Sequence, residues 1–284
     1  MQTFFNQATL SYNGNTITSN IVQGELVAVL SAAKTVTANS YEPGDTVTYV
    51  ISIVNSGTTA YNGITVTDDL GGFEFNGTTV YPLDFIEGSA RLFVNGVLQA
   101  TPATTVGPPL EFSGINVPAG GNAILVYSTT VTSFAPLGTE AQITNTATLT
   151  GAGIVTPITA DETLPASEEP ALTITKALSP TTVPENGQLT YTFVISNFGA
   201  TEAVSTDNLV VTDTFDPILN PISVTYNGAT WDEGANYTYD ETTGLFTTVE
   251  GQITVPAATY TQDPDTGEWI VTPGTSTITV TGNV

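Results

Sequence analysis

The chain carries two lysines, Lys34 and Lys176, and each is followed by an aspartate in a matching setting, Asp68 and Asp213. A third polar residue, Asn145, stands in Ile143-Thr-Asn-Thr-Ala-Thr-Leu149, and a related run near the start holds Asn6. Read as strands, these segments alternate sides. Lys34 shares a face with Leu30 and Ala32, and Lys176 with Leu172, Ile174 and Leu178. Asp68 goes with Ile64, Val66 and Leu70, Asp213 with Leu209, Val211 and Phe215, and Asn145 with Ile143, Ala147 and Leu149. Each set therefore points Lys, Asp and Asn into an apolar core. A buried lysine must be paired, neutral or chemically altered. Two outcomes stand open. One is an ion pair with the asparagine hydrogen bonded beside it. The other is an isopeptide bond. Burial lowers the lysine pKa and raises that of the aspartate. The neutral amine of Lys34 then attacks the Asn145 side-chain carbonyl, while Asp68 polarises it and shuttles protons as ammonia leaves. In the second set the parts fall to Lys176, Asp213 and Asn6, the last supplied by a neighbouring subunit.

The elements that must position these residues come as two tandem repeats. Leu30-Ser-Ala-Ala-Lys34 matches Leu172-Thr-Ile-Thr-Lys176, and the match runs on through Thr48-Tyr49 and Thr190-Tyr191, Asn55 and Asn197, Gly57 and Gly199. Val66-Thr-Asp68 then matches Val211-Thr-Asp213, and Gly121–Val131 matches Gly274–Val284. Short alternating segments rich in Thr, Val, Ile and Tyr, separated by turn signals, predict an all-β chain of two immunoglobulin-like sandwiches. Asn-Gly pairs at 13–14, 62–63, 76–77, 95–96, 186–187 and 227–228 supply hairpin candidates. Asp240–Gly244 and Asp263–Gly267 read as longer hairpin loops, with weak calcium binding as the lesser reading. Trp231 and Trp269 read as hairpin packing residues, and Arg91 as a surface partner of acids.

The repeats are out of phase with the chain. The first continues past Val131 to Thr150; the second has no counterpart of that piece, which includes the Asn-x-Ala-Thr-Leu strand. The other copy of that strand is at residues 6–10. The expected organisation is thus a donor strand and connector at 1–22, a first repeat at 23–150, a linker at 151–171 and an incomplete second repeat at 172–284. Phe4, Asn6, Ala8, Leu10 and Tyr12 share one face of the donor strand, which would complete the second sandwich of a neighbour and remove an exposed edge. Joints within and between subunits would then be alike, an arrangement that propagates head to tail. The competing arrangement folds this strand onto the second repeat of its own chain.

Composition narrows the function. The 284 residues are 40% hydrophobic, enough for two cores, and carry 27 acids against 3 bases, a formal charge of −24. Such a surface repels phosphate, so nucleic acid is excluded as a partner. The absence of cysteine and histidine removes disulfides, thiol nucleophiles, Ser-His-Asp triads and nearly all zinc sites. No cofactor or metal is expected. No apolar run is long enough to span a bilayer as a helix, and Met1–Phe5 has neither the basic nor the apolar part of a signal peptide. No carboxylate pair stands out for an enzyme acting on external substrates.

Leu-Thr-Ile-Thr-Lys at 172–176, Leu-Thr-Tyr-Thr-Phe-Val-Ile-Ser-Asn-Phe-Gly at 189–199, Val-Val-Thr-Asp at 210–213 and Ile-Thr-Asn-Thr-Ala-Thr-Leu at 143–149 resemble a bacterial conserved-repeat family, the domain of unknown function eleven. The resemblance covers both repeats and implies immunoglobulin-like sandwiches with a surface or structural role. The order Lys, Asp, Asn also resembles isopeptide-forming domains of collagen-adhesin type, which implies a bond at Lys34, Asp68 and Asn145 and, by repeat, at Lys176, Asp213 and Asn6. A two-repeat chain without leader or wall anchor is similar to clostridial endospore-appendage proteins. The expected function is a structural subunit of an extracellular or spore-surface filament whose partners are copies of itself. The alternative is a monomeric surface adhesion module binding glycan or host protein.

Overall fold

A computed structural model describes residues 2–151 and 153–284. Met1 and Ala152, which fall in the expected N-terminal segment and linker, lie outside the described residues. The described residues are all-β apart from one short 3-10 turn at Ser205–Asp207. Among the described residues no helix is long and apolar enough to cross a membrane.

The N-terminal segment is a ribbon of β1 (Gln2–Asn6), β2 (Thr9–Tyr12), β3 (Asn15–Thr18) and β4 (Val22–Leu26). Strand β2 pairs with β3, and β1 with β4. Asn13 and Gly14, both at positive φ, form the tight turn between β2 and β3. Asn and Gly tolerate that region, and the twist of such a turn matches that of paired strands.

The first sandwich contains β5 (Leu30–Val36), β6 (Thr46–Asn55), β7 (Tyr61–Asp68), the hairpin β8 (Phe73–Phe75) and β9 (Thr78–Val80), β10 (Leu83–Phe85), β11 (Arg91–Val94), β12 (Val97–Leu98), β13 (Ala103–Thr105), β14 (Leu110–Val117), β15 (Asn122–Val131), β16 (Gln142–Thr150) and β17 (Ile158–Pro165). One sheet runs β12-β11-β15-β6-β5, with β10 also on β15; the facing sheet runs β13-β14-β7-β16-β17. Period-two alternation puts Tyr49, Ile51 and Ile53 of β6 inward against Val66 of β7 and Ala147 and Leu149 of β16. The expected linker thus contains a strand. Residues 158–165 pair along β16, from Leu149 opposite Ile158 to Gln142 opposite Pro165. Ala160 and Leu164 of β17 are buried, which is what fixes the segment to the sandwich.

The second sandwich holds β18 (Leu172–Ser179), β19 (Gln188–Asn197), β20 (Thr212–Thr214), β21 (Ile222–Tyr226), β22 (Ala229–Trp231), β23 (Tyr237–Asp240), β24 (Leu245–Thr248), the hairpin β25 (Thr259–Gln262) and β26 (Trp269–Thr272), and β27 (Gly274–Asn283). Its sheets are β18-β19-β27-β21-β22 and β20-β24-β23. The β6–β15 pairing recurs as β19–β27, Tyr49 opposite Tyr127 becoming Tyr191 opposite Val280. Asn55 and Asn197 are buried and do the same work. The side-chain oxygen of each accepts from the amide of the glycine two residues on, and the side-chain nitrogen of each donates to a carbonyl four residues on. The strand expected around Val211 and Asp213 shrinks to three residues. Strand β7 is held on both sides, by β14 and β16, whereas β20 pairs with β24 alone.

The two sandwiches touch. The β25–β26 hairpin, an insertion relative to the first repeat, reaches back so that the Trp269 amide donates to the Ser133 carbonyl (2.8 Å) and the Ser133 hydroxyl to Glu268 (2.9 Å). Asn76 donates to the Pro264 carbonyl (2.8 Å).

Candidate functional site

In the first sandwich β5, the end of β7 and β16 carry Lys34, Asp68 and Asn145 inward, and all three are buried. The Lys34 ammonium donates to Asp68 Oδ2 at 2.6 Å, and neither side chain has solvent exposure. The Tyr127 hydroxyl donates to the same oxygen, while Asp68 Oδ1 accepts the Leu70 amide at 3.0 Å. The Lys34 charge also lies 4.8 Å from the centre of the Tyr49 ring. Desolvation pulls the Lys34 pKa below its ordinary 10.5, with Asp68 opposing it. Burial pushes the Tyr49 and Tyr127 hydroxyls up, and Asn145 stands beside both. Yet neither the amide oxygen nor the amide nitrogen of Asn145 completes a well-formed hydrogen bond, and the Tyr49 hydroxyl lacks one too. An orphaned buried amide costs about 1–3 kcal/mol. It leaves the asparagine carbonyl uncommitted in the same core as a lysine drawn toward its neutral form.

The second sandwich repeats the dyad without the seal. Lys176 pairs with Asp213, and its charge lies 4.4 Å from the centre of the Tyr191 ring. Here, however, the lysine side chain is 40% exposed and the aspartate 19%. Every residue of β18 is exposed, including Leu172, Ile174 and Leu178 on the lysine's face. The strands that shield Lys34 and Asp68 are β16 and β17, and the described part of the second sandwich has neither. Val280 occupies the place of Tyr127, so Asp213 has no tyrosine partner there.

Asn6 is not brought to this site within its own chain. The residues expected as a donor strand, Phe4, Asn6, Ala8, Leu10 and Tyr12, lie in the ribbon, whose strands among the described residues pair with one another. All five are exposed, Phe4 by 54% and Leu10 by 60%, whereas Leu149, the counterpart of Leu10, is fully buried. The competing arrangement, in which this strand closes its own second sandwich, is not adopted. Neither is a single extended strand: the Asn13-Gly14 turn doubles it back, and residues 7 and 8, outside either strand, divide it.

Sequence reasoning missed the tyrosines. Tyr49 and Tyr127 alternate with core aliphatics on β6 and β15, and so read as packing. The signal was that only one of them survives in the second repeat. Arg91 corrects another expectation. It donates to the carbonyls of Gly88 (2.8 Å) and Ala90 (2.7 Å), its own turn, rather than to an acid. Of the two tryptophans, Trp231 is buried and stacks on Tyr226, while Trp269 sits in the hairpin that touches the first sandwich. The Asp240 and Asp263 carboxylates accept hydrogen bonds from their own loops.

No family model matches the sequence, and no curated protein matches it. The repeat-family resemblance therefore rests on the residues quoted above. Among solved structures the chain is similar to the major pilin subunit of Bacillus cereus, with 12% identity, a TM-score of 0.38, and coverage of 97% of this chain and 73% of that one. It is similar to the pilus backbone of Streptococcus pneumoniae (12% identity, TM-score 0.35, 87% of this chain), of which it spans little more than half, 55%. It is also similar to the collagen-binding domain of a Staphylococcus aureus adhesin (12% identity, TM-score 0.31), over 49% of this chain and 99% of that one.

Proposed function

We propose that this chain is a structural subunit of an extracellular or spore-surface filament, in which the N-terminal segment of one copy completes the second sandwich of the next. One observation carries the reading. The Lys-Asp dyad occurs twice, sealed at Lys34 and Asp68 and open at Lys176 and Asp213. The strand that seals the first has its sequence copy at residues 6–10. By repeat equivalence Ala8 would pair with Asp213, Thr9 with Thr212 and Leu10 with Val211, as Ala147, Thr148 and Leu149 pair with Asp68, Thr67 and Val66. Phe4 and Leu10 would then become buried, each worth about 1.5–3 kcal/mol before ordering costs. Asn6 would arrive opposite Lys176 as Asn145 stands near Lys34.

The same geometry supports an amide bond at each site. The lysine amine attacks the asparagine Cγ, the C–N bond to the amide nitrogen breaks, and ammonia leaves with a proton relayed by the aspartate. Lys34 and Asn145 would be joined within a chain, Lys176 and Asn6 between chains. Denaturing electrophoresis and intact mass of assembled full-length chain test both levels. A heat-resistant ladder with one ammonia lost per joint is the expected result. Assembly that dissolves to unmodified single chains removes the covalent part. A chain that stays monomeric at high concentration removes the filament and favours an adhesion module.

A further inference from the structure

We infer that the segment handed to the next copy is not one strand but a preformed two-stranded hairpin, and that its second strand closes over β18. This rests on the filament reading and deepens it. In the first sandwich the missing piece is itself a hairpin: β16 pairs with β7, and β17 pairs with β16 along its whole length. Strand β17, more than β16, runs beside β5, and just past β5 the Tyr41 amide donates to the Pro165 carbonyl (3.0 Å) and the Ser167 amide to the Tyr41 carbonyl (2.8 Å). The equivalent of β5 is β18, whose apolar side chains lie open. A single inserted strand beside β20 would leave that face uncovered.

From Ala8 to Leu10 the ribbon at the N-terminus has the pairing of this two-stranded gap, and beyond it β1 and β4 pair one residue further on, Asn6 with Val22. Leu10 pairs with Ile17 and Thr9 with Thr18, as Leu149 pairs with Ile158 and Thr148 with Thr159. The Ser19 amide donates to the Ala8 carbonyl (2.8 Å), continuing the register in which Ala147 faces Ala160. The second strand also has the surface of something meant to be covered. Ile17, Ile21 and Val22 are each more than half exposed. No charged residue occurs from Gln2 to Gly24 in a chain of formal charge −24. A free β-ribbon with apolar side chains and a single charge, at Glu25, is otherwise an aggregation hazard. The occupant of the gap is thus residues 2–26 of a second copy, with β2 on β20 and β3–β4 against β18.

Two cysteine variants of the full-length chain, which has no native cysteine, separate this from the reading beneath it. Thr9→Cys with Thr212→Cys reports the first strand: oxidation should link copies into a ladder that reductant dissolves. Ile174→Cys reports the second: its alkylation by a maleimide should slow at least about tenfold on assembly, since access then requires the joint to open. All three positions lie outside the buried cores, and an unchanged near-ultraviolet dichroism spectrum confirms each fold. A ladder together with an alkylation rate at position 174 equal to that of the dilute monomer overturns the hairpin and leaves the single strand. No ladder and no protection overturns both.

Discussion

The buried lysine sets two predictions at the residue scale. Asp68→Ala removes both the counter-charge of Lys34 and the proposed proton relay. The intact mass should then retain the ammonia, and the first sandwich should lose about 3–5 kcal/mol in denaturant unfolding, the cost of stranding one member of a buried pair. The second prediction concerns pH. Lys34 is held below 10.5 in the folded chain, so between its folded and unfolded values the unfolded chain binds more protons. The stability of an unlinked first sandwich is therefore lowest below that window and climbs with pH through it. Above about pH 10 it falls again, because burial keeps Tyr41, Tyr49 and Tyr127 protonated while their unfolded counterparts ionise. In the proposed amide Lys34 would no longer titrate, and the climb should be absent. Urea midpoints measured between about pH 7 and 10 distinguish the two states. The inward direction of Lys34, Asp68 and Asn145 was legible from strand alternation. The hydroxyl of Tyr127 was not, because a tyrosine in an alternating strand carries the same pattern whether its oxygen is used or idle.

Among the elements, the repeat offset showed that residues 172–284 hold no copy of the Asn-x-Ala-Thr-Leu strand. It did not reveal that β17 belongs to the same piece. Residues 151–171 hold several small and turn-forming residues, and only pairing along β16 makes 158–165 a strand. The Asn13-Gly14 turn was visible as a dipeptide, but what it joins became clear only once β17 was known to pair with β16. The β25–β26 hairpin was legible as a hairpin, not as a contact between domains. Its tip is sensitive. Gly267 has positive φ, and a β-carbon there would crowd the Phe75 ring. Gly267→Val should lift the hairpin from the first sandwich and leave both cores intact. Small-angle scattering would then show a less fixed angle between the domains, with little change in thermal midpoint.

For the whole molecule, charge and shape act against each other. Copies of formal charge −24 repel, while the surfaces proposed to join them are apolar and, on the ribbon, uncharged as far as Gly24. Salt should therefore promote assembly. Raising ionic strength from about 0.01 to 0.15 M shortens the screening length from about 30 to 8 Å, and the concentration at which half the chain sediments should drop. Leu10→Asp, which places a charge in the proposed joint, should abolish sedimentation at either salt and leave the thermal unfolding of the sandwiches unchanged, since Leu10 touches neither core.

The N-terminal ribbon is already folded within the single chain, and the open face proposed to receive it, at β18 and β20, lies elsewhere on the same chain. In the proposed filament, recruitment of the thousandth copy would therefore resemble recruitment of the second, with no nucleus to build. Such growth would be isodesmic: it would show no lag, seeds would not hasten it, and lengths would follow an exponential distribution whose mean is set by the supply of free chains.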